Sequence, residues 1–392
     1  MSNKHASYEA VIAEGDNFNR NDFINHTFTD YFHTVHQQKE ALNNNVLTFE
    51  FPALSPGLVY DLGSLRMSTK MALTDKDGDR LPNDTMVAPI NYFAQTVIKS
   101  VEIYLNDLEV SNSAQFYSEM ALVDGWFNHS MGDRHGSMQI SGFYADLPQY
   151  VDSVSANNNG FQQRRGIFGH STNIGGFEFN TNARTIHTHI KSDINTTDLP
   201  LLSGVSVRVV IKFHENDHNL WTNATGKTKN PELQFQGSEM RMTVRRCAEG
   251  FARSIEEKLS KAPIKYRFKR IEPKVINIPP GQAGFEGSIV TQSTTNPERI
   301  IVLMRPGPRV KDDITKNPAW FGSRFRSIDW TAANDKKSSL TKANVCINGV
   351  PLIRTHASDF DDFAYLHFAE MVESTNSQEF GNGVPFENFL YG

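Results

Sequence analysis

The strongest constraint on the fold is a β-hairpin followed by a helix, a unit that occurs twice in the sequence. In the first copy, Val101, Ile103 and Leu105 alternate with polar residues, as in a half-buried strand. The pair Asn106-Asp107 then supplies turn chemistry, and the apolar alternation resumes after it. A helix is predicted next, with Ser113 as its N-cap and one apolar face formed by Phe116, Met120, Val123 and Phe127.

The second copy begins near residue 343 and has the same order of elements. Asn348-Gly349, a strong signal for a two-residue hairpin turn, separates two short apolar strands. A capping box from Ser358 to Asp361 then opens a second predicted helix. Two hairpin-helix units of matching order in a β-rich chain indicate a duplicated domain.

The composition is that of a large protein with two cores. The chain has 392 residues, of which 39% are hydrophobic. Its net charge of −5 argues against a protein that coats nucleic acid. No run approaches the roughly 20 apolar residues that a bilayer-spanning helix needs. Cys247 and Cys346 offer neither a disulfide framework nor zinc-site spacing.

Many short strands, long irregular connections and few helices predict an all-β protein built of β-sandwiches. We predict an N-terminal arm over residues 1–45, a first sandwich over 46–247, a linker helix over 248–262 and a second sandwich over 263–392. The arm is polar but carries several aromatic residues. It fits either a loosely ordered terminus or a segment that docks on a neighbouring subunit.

Within the first sandwich, period-two patterns predict strands near residues 46–51, 65–74, 177–190, 205–213 and 239–246. The long stretches 131–176 and 305–340 are predicted to be surface loops, since residues 131–176 are rich in Gly, Asn, Ser and Gln and lack a core pattern. Such loops are candidates for contacts between subunits.

An acidic loop and two histidine groups resemble metal sites. The acidic loop from Asp75 to Asp79 has its glycine too early for a calcium loop and lacks the closing glutamate, so a hairpin turn is predicted. His187 and His189 share a strand face at a spacing that zinc sites use, and a second group follows at His214, Glu215, Asp217 and His218. The apolar neighbours of His187 and His189 favour a solvent-facing position instead.

The remaining candidates do not form a reaction centre. The basic pairs Arg164-Arg165 and Arg245-Arg246 are short and lack an aromatic stacking platform, which favours solvated faces or ion pairs over phosphate binding. The sequence contains no glycine-rich phosphate loop and no nucleophile elbow. We therefore predict a protein that is not an enzyme, and we assign no catalytic, cofactor-binding or metal-binding residue and no cofactor.

Four segments resemble the major capsid proteins of Polinton/Maverick elements and adintovirus-like DNA viruses. They lie within residues 46–390, and the first is the hairpin-helix region VAPINYFAQTVIKSVEIYLNDLEVSNSAQFYSEMAL. The others are HTHIKSDINTTDLPLLSGVSVRVVIKF, PIKYRFKRIEPKVINIPPGQAGF and KANVCINGVPLIRTHASDFDDFAYLHF. The resemblance implies a double jelly roll, with two eight-stranded sandwiches in tandem and three chains in one hexon-like capsomer.

One feature of the sequence departs from that family. The first hairpin is followed by far more chain than the second, which is close to residue 392. If the two copies are of similar size, the second jelly roll lacks several closing strands. An incomplete sandwich exposes strand edges and apolar surface, which favours aggregation or pairing with another chain.

The predicted function is that of a viral major capsid protein, a structural protein of the virion. Its expected partners are two further copies in a homotrimer, neighbouring capsomers, and penton and minor capsid proteins. No sequence-specific nucleic acid and no transmembrane segment are expected, and assembly is expected inside the host cell. A glycan-binding or carbohydrate-active β-sandwich is the alternative, and a capsid gene domesticated by a host also fits.

Overall fold

The computed structural model describes most of the first 247 residues and a few positions beyond them. The described residues are 30–37, 45–82, 84–146, 154–169, 173–174, 177–178, 183–196, 200–247, 253, 257, 260, 266, 268, 270–275, 346–347 and 350–351. This part of the chain is mainly β-sheet with few helices, as the sequence predicts.

Strands in the described residues are numbered in chain order. They are β1 (Asp30–Gln37), β2 (Val46–Phe51), β3 (Leu58–Thr74), β4 (Val87–Pro89), β5 (Ile98–Leu105), β6 (Leu108–Asn112), β7 (Asn173–Ile174), β8 (Phe177–Glu178), β9 (Ala183–His189), β10 (Val207–Phe213), β11 (Leu220–Thr222), β12 (Glu232–Arg246), β13 (Cys346–Ile347) and β14 (Val350–Pro351).

The helices are short and lie in the connections between strands. They are α1 (Phe93–Thr96), α2 (Tyr117–Phe127), α3 (Met131–Arg134), α4 (Asn159–Gly169), α5 (Asn216–Asn219) and α6 (Ala224–Lys227), with 3₁₀ turns at Ser137–Ser141 and Asp193–Thr196.

Eight strands form two antiparallel four-stranded sheets. Sheet A has the order β1-β12-β3-β9, and sheet B has the order β2-β10-β5-β6. The chain alternates between the sheets, except that the adjacent strands β5 and β6 form a hairpin within sheet B. This alternation over eight strands is the topology of a jelly roll.

The core lies between the two sheets. Alternate residues of β10 are buried in the pattern that its sequence predicts, and the inward residues of β2 and β12 are buried as well. One apolar cluster joins both sheets, because it includes Phe49 and Val209 of sheet B together with Met67 and Met240 of sheet A. The two sheets therefore bury a common core as one sandwich.

Three long connections between described strands leave the sandwich at the same end. The connections 75–97, 113–182 and 214–231 meet there, since β4 pairs with β11 and Arg164 donates to the carbonyl oxygen of Pro89. The connections 52–57 and 106–107 lie at the other end with the last residues of 190–206, where the Asn106 carboxamide accepts the Ser206 N–H at 2.9 Å and Gly204 donates to the Leu54 carbonyl oxygen. We call the described residues of the three long connections the loop layer.

The hairpin turns agree with the sequence. Asn106 and Asp107 have φ values of 47° and 66° between β5 and β6, as a two-residue turn requires. The acidic loop is also a turn, because the Asp75 carboxylate accepts the N–H groups of Asp77 and Asp79 and Thr74 bridges Arg80. Both turn predictions are confirmed.

The helix after the first hairpin differs from its prediction. The Ser113 hydroxyl accepts the Val101 N–H at 2.8 Å and does not cap α2, whose N-cap is Phe116. The core-facing residues of α2 are Tyr117 and Ala121, while Phe116 is only half-buried. The predicted cap and face are wrong because tertiary contacts of the Ser113 hydroxyl and of Tyr117 override the local pattern.

Two described segments outside residues 46–247 contact the first sandwich. β1 lies within residues 1–45, which the sequence assigns to an arm, and it pairs with β12 along its whole length. In the predicted second sandwich, the Tyr266 hydroxyl donates to the Pro200 carbonyl at 3.1 Å, and Phe268 packs on the same core. Residues 30–37 are thus part of sheet A, and the segment near residue 266 contacts the first sandwich.

The second hairpin is described only by its two strands. Cys346 pairs with Pro351, and Ile347 pairs with Val350, on either side of the predicted Asn348-Gly349 turn. The helix predicted after Ser358 and most of 248–392 lie outside the described residues.

Candidate functional site: the loop layer

The loop layer is tied together by a small sheet and by capped turns. β4 and β11 join the connections 75–97 and 214–231. The Thr222 hydroxyl donates to the Met86 carbonyl oxygen at 2.6 Å, and the Asn223 carboxamide caps α6 by accepting the Gly226 N–H. These bonds satisfy backbone groups of two connections that would otherwise face solvent separately.

A buried ion pair fastens α4 to the layer. The side chains of Arg164 and Asp146 are both 1% exposed, and their closest N–O distance is 2.8 Å. The same guanidinium donates to the carbonyl oxygens of Pro89 and Tyr144, and Asn158 donates to Asp146 at 2.9 Å. A buried charge is costly unless its partners are in place, so this network holds three segments in one arrangement.

Aromatic pairs fill the space around this network. The ring centroids of Phe161 and Trp221 are 5.4 Å apart with an interplanar angle of 86°, which is the edge-to-face geometry that aromatic pairs prefer. Phe93 and Phe168 pack in the same way at 5.3 Å and belong to the core between the sheets. The layer is therefore continuous with the sandwich core.

The tight packing explains Gly160, which precedes Phe161 on α4. A Cβ atom at this position would lie 2.1 Å from the Ala145 carbonyl oxygen, a backbone atom. Only glycine allows the start of α4 to approach the segment that carries Asp146 so closely.

Gly166 of α4 is in a different situation, and it yields a prediction. A Cβ atom there would meet nothing within 4 Å, and the residue lies inside the helix. We expect Gly166→Ala to raise the free energy of unfolding by roughly 0.5–1 kcal/mol, because alanine loses less backbone entropy in a helix. Urea unfolding checks this, and a loss of stability would show that α4 is packed differently.

A polar cluster joins the loop layer to the end of β9. Lys191 follows β9, and its ammonium group contacts Asp124 Oδ2 at the end of α2. The same Nζ lies 3.2 Å from His129 Nε2, which is itself 3.2 Å from Asp124 Oδ2. We call Asp124, His129 and Lys191 the α2–β9 cluster.

The environment of the α2–β9 cluster shifts its pKa values. Burial lowers the pKa of Lys191 to about 8. Burial also lowers the pKa of His129; Asp133 partly opposes this shift and Arg134 adds to it. At neutral pH the imidazole of His129 is therefore uncharged.

The histidines that the sequence singles out are not brought together as one site. His187 and His189 are on the exposed face of β9, as predicted, and His187 Nδ1 is 2.8 Å from the Ser68 hydroxyl. His214 stacks on His218 with a centroid distance of 3.7 Å. Among the residues that the structure describes, no group of three or more His, Cys, Asp or Glu side chains could hold a metal ion.

Three of the four arginines in the basic pairs bond within the fold. Besides Arg164, Arg165 donates to the Thr85 carbonyl oxygen at 3.0 Å, and Arg245 contacts the Asp61 carboxylate at 2.8 Å. Sequence reasoning missed the burial of Arg164 because its partner Asp146 lies in a stretch without an apolar period. The prediction that residues 131–176 are only a surface excursion is wrong for α4, whose Phe161 and Phe168 are buried.

The outer surface of the layer has one exposed large apolar side chain among the described residues. Ile140, in the 3₁₀ turn Ser137–Ser141, is 59% exposed. Leu108 is its counterpart near the turn at the other end of the sandwich and is 70% exposed. No helix within the described ranges is long and apolar enough to cross a membrane.

The fold is similar to parts of several solved virus structures. One is the cryo-EM structure of the Sputnik virophage, with 12% identity over 57% of this chain and 48% of that chain and a TM-score of 0.39. Another is the mavirus major capsid protein, with 13% identity, 55% and 46% coverage and a TM-score of 0.32. The Faustovirus major capsid protein has 7% identity over 59% of this chain and 57% of that chain, with a TM-score of 0.35.

These similarities are partial. The chain spans about half the length of the solved chains that it matches. No protein-family model and no curated protein matches the sequence.

Proposed function

We propose that this chain is a major capsid protein of an icosahedral DNA virus and that three copies form a pseudo-hexameric capsomer. The observation that carries the proposal is the eight-stranded jelly roll with three of its long connections packed into one layer. A rigid sandwich that carries an ordered layer of packed loops is suited to a subunit that binds its neighbours through that layer. The four segments that resemble such capsid proteins support the same function.

The pseudo-hexameric part of the proposal needs a second jelly roll over residues 263–392. The support for it is the repeated hairpin, because β13 and β14 pair across a two-residue loop as β5 and β6 do. Two sandwiches in each of three chains supply six similar units around one axis. The described contact between Tyr266 and the first sandwich ties the start of the second unit to the first.

In this proposal the protein binds and does not catalyse. Obligate interfaces of assemblies bury roughly 2,000 Å² or more, and the loop layer is the proposed source of much of this area within the trimer. Neighbouring capsomers and penton and minor capsid proteins are the other proposed partners. The protein is then a component of the virion that assembles inside the host cell.

The glycan-binding alternative has no support from the described residues. A glycan site needs exposed aromatic platforms or paired carboxylates at a catalytic separation. Trp221, the one tryptophan whose side chain is described, is buried against Phe161.

The oligomeric state tests the proposal. We expect light scattering behind a sizing column to give about three times 44.2 kDa over a wide range of protein concentrations. The reason is that an obligate trimer buries too much surface to dissociate on moderate dilution. A monomer at every concentration would contradict the proposal.

A pair of variants locates the interface within the same experiment. Ile140→Lys places a charge on the loop layer, and Leu108→Lys places the same charge at the other end of the sandwich. We expect Ile140→Lys to shift the trimer toward monomer by at least about tenfold in dissociation constant, since an unpaired charge in an interface is costly. Leu108→Lys is the matched control. A larger increase of the dissociation constant in Leu108→Lys than in Ile140→Lys would show that the interface lies at the other end of the sandwich.

A further inference from the structure

We propose that Asp124, His129 and Lys191 form an acid-sensitive latch between the loop layer and the sandwich. When His129 is neutral, the Asp124 carboxylate pairs with the Lys191 ammonium group and the latch is closed. When His129 is protonated, it binds the Asp124 carboxylate itself, the bond between Asp124 and Lys191 weakens, and the latch opens. This inference goes beyond the proposed function and does not depend on it.

The latch connects two parts of the fold that the sequence separates. Asp124 and His129 belong to the loop layer, at the end of α2 and just after it. Lys191 belongs to the sandwich, because the preceding Ile190 is buried in the core and its N–H donates to the Leu65 carbonyl oxygen at 3.0 Å. The Lys191–Asp124 ion pair is thus a bond between layer and sandwich.

Further hydrogen bonds connect the same two parts. The Lys191 N–H donates to the Tyr117 hydroxyl at 3.1 Å, and that hydroxyl donates to Gln95 Oε1 at 2.5 Å. Gln95 Nε2 in turn donates to the His189 carbonyl oxygen at 2.7 Å. These bonds do not involve a group that titrates near neutral pH. They therefore keep α2 attached to the sandwich when a change of pH opens the latch.

The geometry around His129 Nε2 makes the latch depend on its proton. This nitrogen is 3.2 Å from both Lys191 Nζ and Asp124 Oδ2. In the neutral tautomer whose proton is on Nδ1, Nε2 accepts from the ammonium group, and the carboxylate pairs with Lys191. Once Nε2 carries a proton, it donates to the carboxylate and places a second cation against the ammonium group.

The surrounding charges decide how readily that proton binds. Asp133 Oδ2 lies 4.0 Å from His129 Nδ1 and favours protonation, whereas Arg134 and Lys191 oppose it. His189 adds a second titratable imidazole on the sandwich side, and Arg66 pairs with it in register. The charged and titratable groups that face the latch are therefore Arg66, Asp124, Asp133, Arg134, His189 and Lys191.

The sign of the pH effect follows from the direction of the shifts. Burial lowers the pKa of His129 below the ordinary value of 6.5. The closed state therefore binds fewer protons than the open state. Closure is most stable above about pH 6.5 and weakens as the pH falls from there toward the lowered pKa of His129.

Hydrogen exchange of the full chain, followed by mass spectrometry, tests the latch. Rates at about pH 7.5 and about pH 5 are compared after correction for the intrinsic exchange rate. We expect peptides over residues 117–134 to lose protection at the lower pH, by roughly tenfold for each unit by which the pKa of a histidine in the latch is lowered. Peptides from β3 and β12 serve as the internal reference and are expected to change little.

Two variants separate the latch from a general effect of acid. His129→Gln removes the titration and is expected to abolish most of the acid-induced loss of protection. His135→Gln, an exposed histidine near α3, is the matched control and is expected to behave like the unmodified protein.

Two results would overturn the latch. One is the same selective loss in His129→Gln as in the unmodified chain. The other, which needs no variant to fold, is a loss of protection at about pH 5 that is uniform or absent in the unmodified chain. A failed trimer measurement leaves both readouts intact, so this test is separate from that of the proposed function.

Discussion

Asp146→Ala is expected to lower the free energy of unfolding by roughly 3–5 kcal/mol, the range found when one partner of a buried ion pair is removed. The substitution leaves the Arg164 guanidinium in a site where its side chain is 1% exposed. The carbonyl oxygens of Pro89 and Tyr144 accept hydrogen bonds from it but do not neutralise its charge. Urea unfolding, followed by tryptophan fluorescence to which the buried Trp221 of the same layer contributes, measures the change.

An exposed pair provides the control for this prediction. Arg208 NH2 lies 3.2 Å from Asp107 Oδ1, but the Asp107 side chain is 86% exposed. We expect Asp107→Asn to change the free energy of unfolding by no more than about 1 kcal/mol, since water and salt screen such pairs. Asparagine also tolerates the positive φ at this position. Equal losses in the two variants would contradict the role that we assign to the buried network.

Gly142→Ala is expected to have an effect of similar size by a different mechanism. Gly142 has a φ of 80°, and a Cβ atom there would lie 2.1 Å from the ring of Phe93, a residue of the core. Alanine pays about 1–2 kcal/mol for the left-handed conformation, and overpacking a core costs about 1–3 kcal/mol more. The expected loss in the free energy of unfolding is therefore roughly 2–5 kcal/mol.

Gly204 separates the two contributions. It has nearly the same φ, 81°, but a Cβ atom there would meet nothing within 4 Å. Gly204→Ala is expected to lose only the backbone part, about 1–2 kcal/mol. The difference between the two alanine variants then measures the contact with Phe93. If both variants lose the same free energy of unfolding, the 3₁₀ turn before Gly142 does not pack closely against Phe93.

The two large predictions and the latch concern different contacts that hold the loop layer together and on the sandwich. Arg164 and Asp146 hold α4, Gly142 lets a 3₁₀ turn approach the core, and the α2–β9 cluster holds the end of α2. Acid acts on the last of these through His129. The proposed capsomer contacts are on the same layer, so their strength is expected to depend on how firmly it is attached.

The local signals in the sequence located most strands of the sandwich, although β1 was assigned to an arm. A strand with one buried face must alternate, so β2 and β10 were predicted close to their observed positions. Residues 239–246 of β12 were predicted as well, but its first half was not. The turn at Asn106-Asp107 was predictable because few residues tolerate two consecutive positive φ values. The exposed position of His187 and His189 followed from the same alternation.

Only the tertiary structure decided what the irregular segments do. The partner of Arg164 is 18 positions away, and the partner of Lys191 is 67 positions away. No periodic pattern connects such pairs, because they meet through the folding of irregular segments onto one another and onto the sandwich. The Ser113 hydroxyl likewise accepts the N–H of Val101, a residue of the neighbouring strand, and so does not cap α2. The sequence alone therefore determined the β-rich fold class, the first hairpin turn and most strands of the sandwich, while the loop layer and its latch arise from contacts between residues that are brought together only by folding.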